Sequence, residues 1–329
     1  MPRELLILCH GKAHRNKLVD DHRRPLKDSG KRDAQRIGTW LFQQDLLPDQ
    51  ILTSTAERTW TTAQKCVKVM AITAQQIHPV PLLYHADLQT LLTVLATAST
   101  SARRTLLVGH SPGLEHLLTY LADAYPAIPS GDKPPATATL ARLAMHDDWH
   151  DLQAGGAKLL NLIQAKDLPE KFPYPAPDGN ESRERPDYYY TQSAVIPYRL
   201  NEGEVQILII RSSGDKHWVV PKGIADPGYT LQDSAAKEAW EEAGVEGKVI
   251  PEALGSFQYQ KWGATCSVTV YPMEVTHLVP VAQWQERHRG RRWVSAADAA
   301  SLLNQHALAS MVLKLDQQLR GESGRWSDG

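Results

Sequence analysis

The first half of the chain alternates short apolar runs with longer amphipathic stretches. The apolar runs have the length of buried strands and cover Leu5–Leu8, Ile51–Leu52 and Thr105–Val108. The amphipathic stretches predict helices over Ser29–Phe42, with Ser29 as the N-cap, over Ala56–Ala71 and over Gly113–Ala122. Strands that alternate with helices in this way predict a mostly parallel sheet with helices on both faces.

The second half has a different pattern, in which strand-like runs dominate. Ser193–Arg199 and Glu204–Arg211 flank the turn Leu200–Gly203 and predict a β-hairpin. Further elements are predicted as strands over His217–Val220, Gly255–Trp262 and Cys266–Val275 and as a last helix near Gln305–Leu319. This half is expected to be an α+β domain, with a mixed sheet between helices.

The stretch between the two halves has the composition of a linker. Lys166–Tyr190 carries five prolines and a mixed charge run, and it has no period of 2 or 3.6 residues. We therefore expect a first domain over residues 1–165, a linker over 166–190 and a second domain over 191–329. Two domains are ordinary for a chain of 329 residues.

Composition narrows the class of protein. Lys and Arg number 36 against 37 Asp and Glu, a net charge of −1, so nucleic acid is not expected as a main partner. The three cysteines, Cys9, Cys66 and Cys266, are far apart, which argues against a disulfide framework and a structural zinc site. No segment has the pattern of a signal peptide or a membrane span. We expect a soluble cytoplasmic protein without a membrane partner, and the oligomeric state stays open.

The stretch Gly223–Val245 carries the most informative pattern of the chain. A proline- and glycine-rich loop leads into a helix that Thr230 can cap and Gly244 can end. Three carboxylates at i, i+3 and i+4 share one face of this helix, namely Glu238, Glu241 and Glu242. Such a face is ordinarily a solvated surface. Beside a loop that lets backbone carbonyls approach, however, the crowded acids suit Mg²⁺ bound to substrate phosphates.

This stretch resembles the Nudix box, G-x5-E-x7-R-E-U-x-E-E-x-G-U, in which U is aliphatic. The matching positions are Gly223, Glu238, Ala239, Glu241, Glu242, Gly244 and Val245. Tyr229 stands where the first glutamate belongs and Lys237 where the arginine belongs, and in the family those two side chains form a supporting ion pair. The resemblance runs from about Gln192 to Leu319 and is to the diphosphoinositol and dinucleoside polyphosphate branch.

The resemblance implies roles for these residues. Glu238 and Glu242 would ligate metal or activate water, and Glu241 and the Gly223 carbonyl would add ligands. The implied cofactor is Mg²⁺, with Mn²⁺ as a substitute, and the implied reaction is attack of water on a phosphorus of a phosphoanhydride.

Basic residues on either side of the box are candidates for binding substrate phosphates. Arg211, Lys216 and Lys222 precede the box, and we expect them to bind the substrate. A second basic cluster follows it and consists of Arg287, Arg289, Arg291 and Arg292. The pattern of this cluster fits a solvated loop and a phosphate clamp equally well.

The first half has its own candidate site. His10 directly follows the first apolar run, His110 follows the strand at Thr105–Val108, and Arg58 begins a helix after a strand. The carboxyl ends of parallel strands meet at one edge of a sheet, so these three side chains should converge as a phosphate pocket. The run CHGKAHR also has the Cys-x5-Arg spacing of a cysteine phosphatase loop, which makes Cys9 an alternative nucleophile.

This half resembles the histidine phosphatase superfamily, and within it the small SixA-type phosphohistidine phosphatases, from about Leu5 to Leu168. The resemblance implies a three-layer α/β sandwich of the phosphoglycerate mutase type, with His10 as nucleophile and His110 as its partner. The family motif is Arg-His-Gly, whereas this chain has Cys9 in the first position. Loss of that charge-assisted contact predicts a rate lower by roughly two or three decades.

Together these patterns favour a Mg²⁺-dependent Nudix hydrolase fused to a histidine phosphatase-like domain of reduced activity. The expected substrate is a highly phosphorylated small molecule, either a diphosphoinositol polyphosphate or a dinucleoside polyphosphate. One alternative is a regulatory pseudoenzyme that binds such molecules without turnover, because both halves depart from their signatures. The other alternative is an enzyme that clears damaged nucleoside triphosphates.

Overall fold

The computed structural model describes residues 3–15, 18–99, 101–123, 137–145, 149–150, 152–175 and 181–323. The chain divides into two compact units, Met1–Phe172 and Pro173–Gly329, and the division falls inside the proline-rich stretch. Within the described ranges, no helix combines the length and apolar character that a membrane crossing requires.

The first unit is built on a six-stranded sheet. Its strands are β1 (Arg3–Cys9), β2 (Gln50–Thr53), β3 (Ile77–Pro79), β4 (Arg104–Gly109), β5 (Thr139–Met145) and β6 (Lys158–Gln164). In the order β3-β2-β4-β1-β5-β6, the first four strands pair in parallel and the last two add antiparallel edge strands. The prediction of a mostly parallel sheet is confirmed.

Helices cover both faces of this sheet. They are α1 (Asp28–Gln43), α2 (Glu57–Lys68), α3 (Leu88–Ala96) and α4 (Gly113–Leu121). Because successive strand residues point to opposite faces, β1 supplies two cores. Leu5 and Ile7 pack with α3 and α4, and Leu6 and Leu8 pack with α1 and α2. The unit is therefore the three-layer α/β sandwich that the sequence predicts.

The start of α1 differs from the prediction. The helix begins at Asp28, and its N-cap is Lys27, whose side chain makes no capping hydrogen bond. The expectation that Ser29 caps the helix is wrong. Tertiary packing sets this helix start instead, because Gly30 in its first turn lies directly against the backbone of Lys12.

The second unit contains an eight-stranded mixed sheet. Its strands follow two short segments, β7 (Phe172–Pro173) and β8 (Ser182–Arg183), and are β9 (Thr191–Asn201), β10 (Glu204–Arg211), β11 (Trp218–Val219), β12 (Lys222–Ile224), β13 (Val245–Val249), β14 (Gly255–Lys261), β15 (Ala264–Leu278) and β16 (Arg291–Ser295). β9 and β15 pair in parallel, and the other pairings are antiparallel. The predicted hairpin is present, since Glu204 pairs with Asn201.

Helices lie on both faces of this second sheet. They are α5 (Leu231–Glu238), α6 (Ala296–Leu302) and α7 (His306–Ser323). Ala235 and the residues that follow it pack on Leu208 and Ile210 of β10, and α7 packs on the opposite face with Ile207 and Ile209. The expected α+β arrangement, a mixed sheet between helices, is confirmed.

Candidate active sites

The loop after β1 is fixed by close backbone packing. Gly11 and Gly30 lie so near the facing backbone that a side chain on either would overlap it. The Gly11 N–H donates to Thr62 Oγ1 at 2.9 Å, and Thr62 Oγ1 donates to the carbonyl of Arg58 at 2.6 Å. The loop that carries His10 is thereby tied to α2, the helix that carries Arg58.

His10 presents an unprotonated ring nitrogen. Its Nδ1 lies 2.8 Å from the Gly11 carbonyl oxygen, and since a carbonyl only accepts, Nδ1 carries the proton and Nε2 keeps its lone pair. Burial lowers the pKa of His10, and the charges of Arg58 and Arg24 lower it further. A neutral imidazole with its lone pair on Nε2 is suited to nucleophilic attack on phosphorus.

Arg58 and His110 lie beside His10. The ring centroids of the two histidines are 5.5 Å apart. Arg58 is 1% exposed, and its Nη2 lies 3.2 Å from His110 Nδ1. Because a guanidinium only donates, His110 carries its proton on Nε2, which donates to Ser54 Oγ at 2.9 Å. Burial, and after it the charge of Arg58, lowers the pKa of His110 to about 3. The three predicted side chains thus meet at one edge of the sheet.

Asp21 connects the charged groups around this pocket. Its Oδ2 accepts hydrogen bonds from Arg58 Nη2 at 2.9 Å and from the Tyr84 hydroxyl at 2.8 Å, and its Oδ1 lies 2.7 Å from Arg24 Nη2. Burial acts to raise the pKa of Asp21, but the hydrogen bonds of Tyr84 and His85 and the arginine charges hold it well below its usual range. The carboxylate therefore stays ionised and holds two guanidinium groups together.

The Cys9 side chain packs into the core of the first unit. The side chain belongs to the core between the sheet and helices α3 and α4, and its Sγ lies 3.6 Å from Ser111 Oγ. Burial raises the pKa of the thiol, so the nucleophilic thiolate is disfavoured. Lys12 and Arg15, the nearest cations in sequence, are exposed. This environment favours His10 over Cys9 as the nucleophile.

The acidic helix of the second unit begins and ends as expected. Thr230 Oγ1 accepts a hydrogen bond from the Asp233 N–H at 3.1 Å, and Gly244 ends the helix with a φ of 60°. Between them, the helix widens at Ala239–Ala243 into a π-helical turn. The sequence pattern did not indicate this widened turn, and turns of this kind recur at functional sites.

Lys237 has a carboxylate partner that the box pattern does not contain. Its Nζ lies 2.7 Å from Asp226 Oδ2 and 3.6 Å from Glu241 Oε1. The backbone N–H of Asp226 donates to Ser234 Oγ at 3.0 Å, and the Tyr229 N–H donates to the Asp226 carbonyl at 3.0 Å. The ion pair between Asp226 and Lys237 therefore holds the loop on α5. Its acid lies three residues before position 229, where the family has its glutamate.

Glu238 and Glu242 are largely shielded from water beside the strand that precedes the loop. The Glu238 carboxyl packs onto the Cα of Gly223, where any β-carbon would overlap it. Glu242 Oε2 accepts from the Lys222 N–H at 3.0 Å, and its Oε1 lies 2.7 Å from Arg289 Nη2. Glu238, Glu242 and Gly223 are thus brought together, with a backbone N–H and the Arg289 guanidinium against Glu242.

This donor set suits a hard divalent cation. Burial, and after it the charges of Glu242 and Glu241, raises the pKa of Glu238 to about 8, as expected for carboxylates crowded without enough positive charge. Carboxylate and carbonyl oxygens are the ligands that Mg²⁺ prefers. Within the part of the chain that the structure describes, no three acidic, histidine or cysteine side chains form a preformed metal cluster. A cation here would compete with Arg289 for Glu242 and with Lys237 for Glu241.

A cavity of about 570 Å³ adjoins Glu242. Four cationic side chains line it, and these are Lys216, Lys222, Lys261 and Arg289. Aromatic side chains line another part of the wall, and these are Trp218, Phe257 and Tyr259. Among the described acidic residues, Glu242 alone lines the cavity. The acidic cluster and the basic cavity therefore share Glu242.

Lys222 is held in a polar network at the cavity wall. Its Nζ donates to Gln192 Oε1 at 3.0 Å and to the Tyr259 hydroxyl oxygen at 3.2 Å, and that hydroxyl donates to Gln192 Oε1 at 2.8 Å. Burial lowers the pKa of Lys222 from its ordinary value. The ammonium group of Lys222 is therefore fixed in position at the cavity wall. The backbone N–H of the same lysine donates to Glu242.

The structure separates the arginines that the sequence could not distinguish. Arg289 lines the cavity and is 9% exposed. Arg291 donates to the carbonyls of Ala243, Gly244 and Val279, so it holds the end of the acidic helix. The remaining two members of the cluster are exposed, and these are Arg287 and Arg292.

Arg211 differs from the other predicted substrate-binding residues. It pairs with Asp215 at 3.4 Å and lies over the ring of Trp218, with 4.4 Å between its guanidinium carbon and the ring centroid. It is not among the residues that line the cavity, whereas Lys216 and Lys222 are.

Several residues of both sites escaped sequence reasoning. Asp21 lies in a short turn without periodicity, and Gln192 and Tyr259 lie on strands, where their types carry no chemical signal. Asp226 had one usable signal, since it is an acid in the loop of a box that lacks its glutamate.

Comparison with known proteins assigns both halves. The NUDIX domain family matches residues 190–315, and branch 1 of the histidine phosphatase superfamily matches residues 5–81. Diphosphoinositol polyphosphate phosphohydrolase 3-alpha of Homo sapiens is 31% identical over 125 residues, which cover 37% of this chain and 73% of that protein. Mitochondrial Nudix hydrolase 13 of Arabidopsis thaliana is 28% identical over 147 residues, 38% of this chain and 72% of that protein.

Among solved structures, a protein assigned as phosphohistidine phosphatase SixA from Nakamurella multipartitia is 30% identical. It covers 50% of this chain and 96% of its own length, with a TM-score of 0.42. The chain belongs to the Nudix hydrolases, and it carries its Nudix phosphohydrolase domain behind a histidine phosphatase-like domain.

Proposed function

We propose that the protein is a Mg²⁺-dependent Nudix hydrolase that cleaves phosphoanhydride bonds of a highly phosphorylated small molecule. One observation carries this proposal. The acidic cluster and the four cations of the cavity meet at Glu242, so groups that attract a metal ion and groups that attract phosphate adjoin. A substrate that is polyanionic and is handled with a divalent cation requires both.

The site residues of the second unit would have distinct roles in metal binding, phosphate binding and proton transfer. Glu238, Glu241, Glu242 and the Gly223 carbonyl would hold Mg²⁺, or Mn²⁺ in its place. The bound cation would neutralise phosphate charge and make the attacking water more acidic. Lys222 and Lys216 would bind phosphate oxygens, and Arg289 would join them when a cation takes over Glu242. Either Glu238 or Glu242 would accept the proton of the attacking water.

Two substrate classes fit this cavity. Its four cations suit the many phosphates of a diphosphoinositol polyphosphate, and the human relative is named for hydrolysis of that class. Its aromatic lining suits a base of a dinucleoside polyphosphate, which can stack on Trp218 or Phe257.

Three buried cysteines without disulfides support a reducing compartment such as the cytoplasm.

The first unit supports a second activity, removal of a phosphoryl group from a monoester. His10 Nε2 would attack phosphorus, forming an N–P bond as the P–O bond to the leaving group breaks. Water would then cleave the N–P bond and release inorganic phosphate. The free lone pair on His10 Nε2 beside Arg58 favours this activity, at a rate reduced by the loss of the motif arginine at Cys9.

The test is phosphate release from diphosphoinositols, diadenosine polyphosphates and nucleoside triphosphates, with and without Mg²⁺. Glu242→Gln should lower kcat by at least about 100-fold. Glu246→Gln, the same change at an exposed site on β13, should leave it within about twofold. Full activity in Glu242→Gln, or wild-type binding of these substrates without any turnover, would refute the hydrolase proposal.

A further inference from the structure

Gln192 is buried behind the wall of the basic cavity. It is 2% exposed and is not among the described residues that line the cavity, whereas Lys222 and Tyr259 are. Its strand, β9, pairs with β12, which carries Lys222, and with β15, beyond which β14 carries Tyr259. Burial of an amide is unfavourable unless its polar atoms find partners, so the contacts of Gln192 indicate what the residue does.

The hydrogen bonds of Gln192 fix which end of its amide faces Lys222. Oε1 accepts from Lys222 Nζ at 3.0 Å and from the Tyr259 hydroxyl at 2.8 Å. On the other side, Nε2 donates to the Tyr189 carbonyl oxygen at 3.4 Å. An ammonium group only donates and a carbonyl only accepts, so turning the amide over would break the bonds to Lys222 and to Tyr189. The amide oxygen is therefore held against the lysine.

This contact holds the Lys222 ammonium group in one place. Lys222 Nζ also donates to the Tyr259 hydroxyl oxygen at 3.2 Å, which closes a triangle of three hydrogen bonds with Gln192. An ammonium group has three donors, and the triangle uses two of them. Among the described residues, no acceptor takes the third. One N–H of Lys222 is thus left for a phosphate oxygen in the cavity.

Gln192 binds the ammonium group without cancelling its charge. A carboxylate at this position would accept the same hydrogen bonds, but it would neutralise Lys222 and repel phosphates. An apolar side chain of the same length would leave Lys222 and the Tyr259 hydroxyl without their acceptor. A neutral acceptor avoids both effects, which is the requirement for a lysine that has to bind an anion.

We propose that Gln192 is a positioning residue of the second unit, which holds the charged Lys222 ammonium group at the cavity wall for a substrate phosphate without touching the substrate itself. This inference rests on the phosphate-binding role proposed above for Lys222. Binding is therefore measured separately from hydrolysis, so that the two proposals can fail independently.

The binding test uses the full chain in excess EDTA, so that no divalent cation supports hydrolysis, with inorganic tripolyphosphate as the probe. The ¹H–¹³C signals of the Lys222 ε-methylene group are followed by NMR, and Lys222→Met identifies them. Gln192→Glu should raise the Kd at this lysine by at least about 10-fold, because it cancels the charge. Gln192→Met should raise it by about 3- to 10-fold, because the ammonium group loses its fixed position.

The matched control is Gln258→Glu, which adds the same charge at an exposed position of β14. It should change the Kd by less than about twofold. Urea unfolding shows whether each variant is folded. Gln192→Glu keeps the size and the acceptor of the native residue, so it carries the test if Gln192→Met does not fold.

The kinetic test separates positioning from a merely structural role. With Mg²⁺ and the best substrate of the panel, both Gln192 variants should raise KM by about 10-fold and leave kcat within about threefold, since Lys222 would bind phosphate before and during the reaction. A structural defect would instead lower the folded fraction, and with it kcat, at unchanged KM. In a Lys222→Met background, Gln192→Met should raise KM by less than about twofold further, because both changes remove the same contact.

The outcomes distinguish this inference from the hydrolase proposal. If Lys222 responds to tripolyphosphate in the wild-type protein and equally in all variants, Gln192 has no positioning role and the hydrolase proposal stands. If the Kd values change as expected but no substrate of the panel is hydrolysed, the positioning role is supported and the hydrolase proposal fails. No response at Lys222 in the wild-type protein, or equal effects of Gln192→Met on KM in both backgrounds, overturns the inference.

Discussion

Gly223→Ala tests the contact on which the acidic site depends. The Cα of Gly223 faces the Glu238 carboxyl, and an added β-carbon would overlap the carboxyl carbon and both oxygens, far inside the 3.4 Å of an ordinary contact. Residue 223 lies in β12, and its φ is not in the left-handed region, so the backbone itself accepts alanine. The perturbation therefore acts on the position of Glu238.

The magnitude follows from this overlap. The carboxyl must retreat by at least about 1 Å, and a misplacement of that size typically lowers the rate by about 100-fold. Overpacking of this kind destabilises a folded protein by about 1–3 kcal/mol. We expect kcat for the best substrate of the panel to fall by about 100-fold, while the urea midpoint of the second unit falls by roughly 1 M and the unit stays folded without urea.

The assay compares Gly223→Ala with Gly321→Ala, in which the added methyl group meets open space in α7. Both variants are measured for Mg²⁺-dependent phosphate release and for urea unfolding. Gly321→Ala should keep wild-type kcat. If Gly223→Ala is folded and keeps kcat within about threefold, the carboxyl of Glu238 is not needed where the structure places it, and the assignment of the metal-binding face is refuted.

Three further predictions concern positioning and stability. Asp226→Asn should raise the Mg²⁺ concentration for half-maximal activity by about 3- to 10-fold, because the 2.7 Å ion pair with Lys237 holds the loop. The double exchange Asp226→Lys with Lys237→Asp should recover part of this loss. If the two substitutions instead give additive losses, the role of the ion pair is contradicted. Arg291→Met should lower the free energy of unfolding by about 2–4 kcal/mol, since three carbonyls each lose a hydrogen bond from the guanidinium and only that of Gly244 keeps another donor, the Val279 N–H, among the backbone groups described. The exposed Arg292→Met should cost less than about 0.5 kcal/mol. The melting temperature of the first unit should fall as the pH drops from about 6.5 toward 3, because His110 in the unfolded chain binds a proton that the folded residue, with its pKa of about 3, does not. Calorimetry of His110→Gln should show a weaker decline with pH. An equally steep decline in that variant would contradict the prediction.

Much of the fold could be predicted because periodicity reports burial. Leu5–Leu8 and Thr105–Val108 are continuous apolar runs, and both are buried parallel strands. β6 and β13 were not predicted, because an edge strand and a strand with charged residues show no continuous apolar run. α6 was missed for a related reason, since seven residues are too few for a helical period to stand out.

The sites were predictable to the extent that they depend on strand ends and helix faces. His10, Arg58 and His110 converge because parallel strands end at one edge. Asp21 could not be predicted, because it lies in a short turn whose position is set by the donors that it collects. Lys222 was predicted to bind the substrate from its place before the box, but its orientation could not be predicted, because it depends on a network with residues of two other strands.

The two departures from family signatures have a common physical form. A motif fixes a residue at one position of the sequence, whereas an ion pair needs only a charge at one position in space. In the second unit the acid that pairs with Lys237 comes from Asp226 instead of residue 229, and the turn from Asp226 to Tyr229 allows this exchange. In the first unit Arg24 places a guanidinium beside the loop after His10, where its Nη1 donates to the His14 carbonyl at 3.3 Å. A missing charge in a sequence signature does not by itself mean that the site is lost. The site is lost only if no other residue places the same charge at that position in space. By that criterion we expect both sites of this chain to keep the electrostatics that phosphoryl chemistry requires.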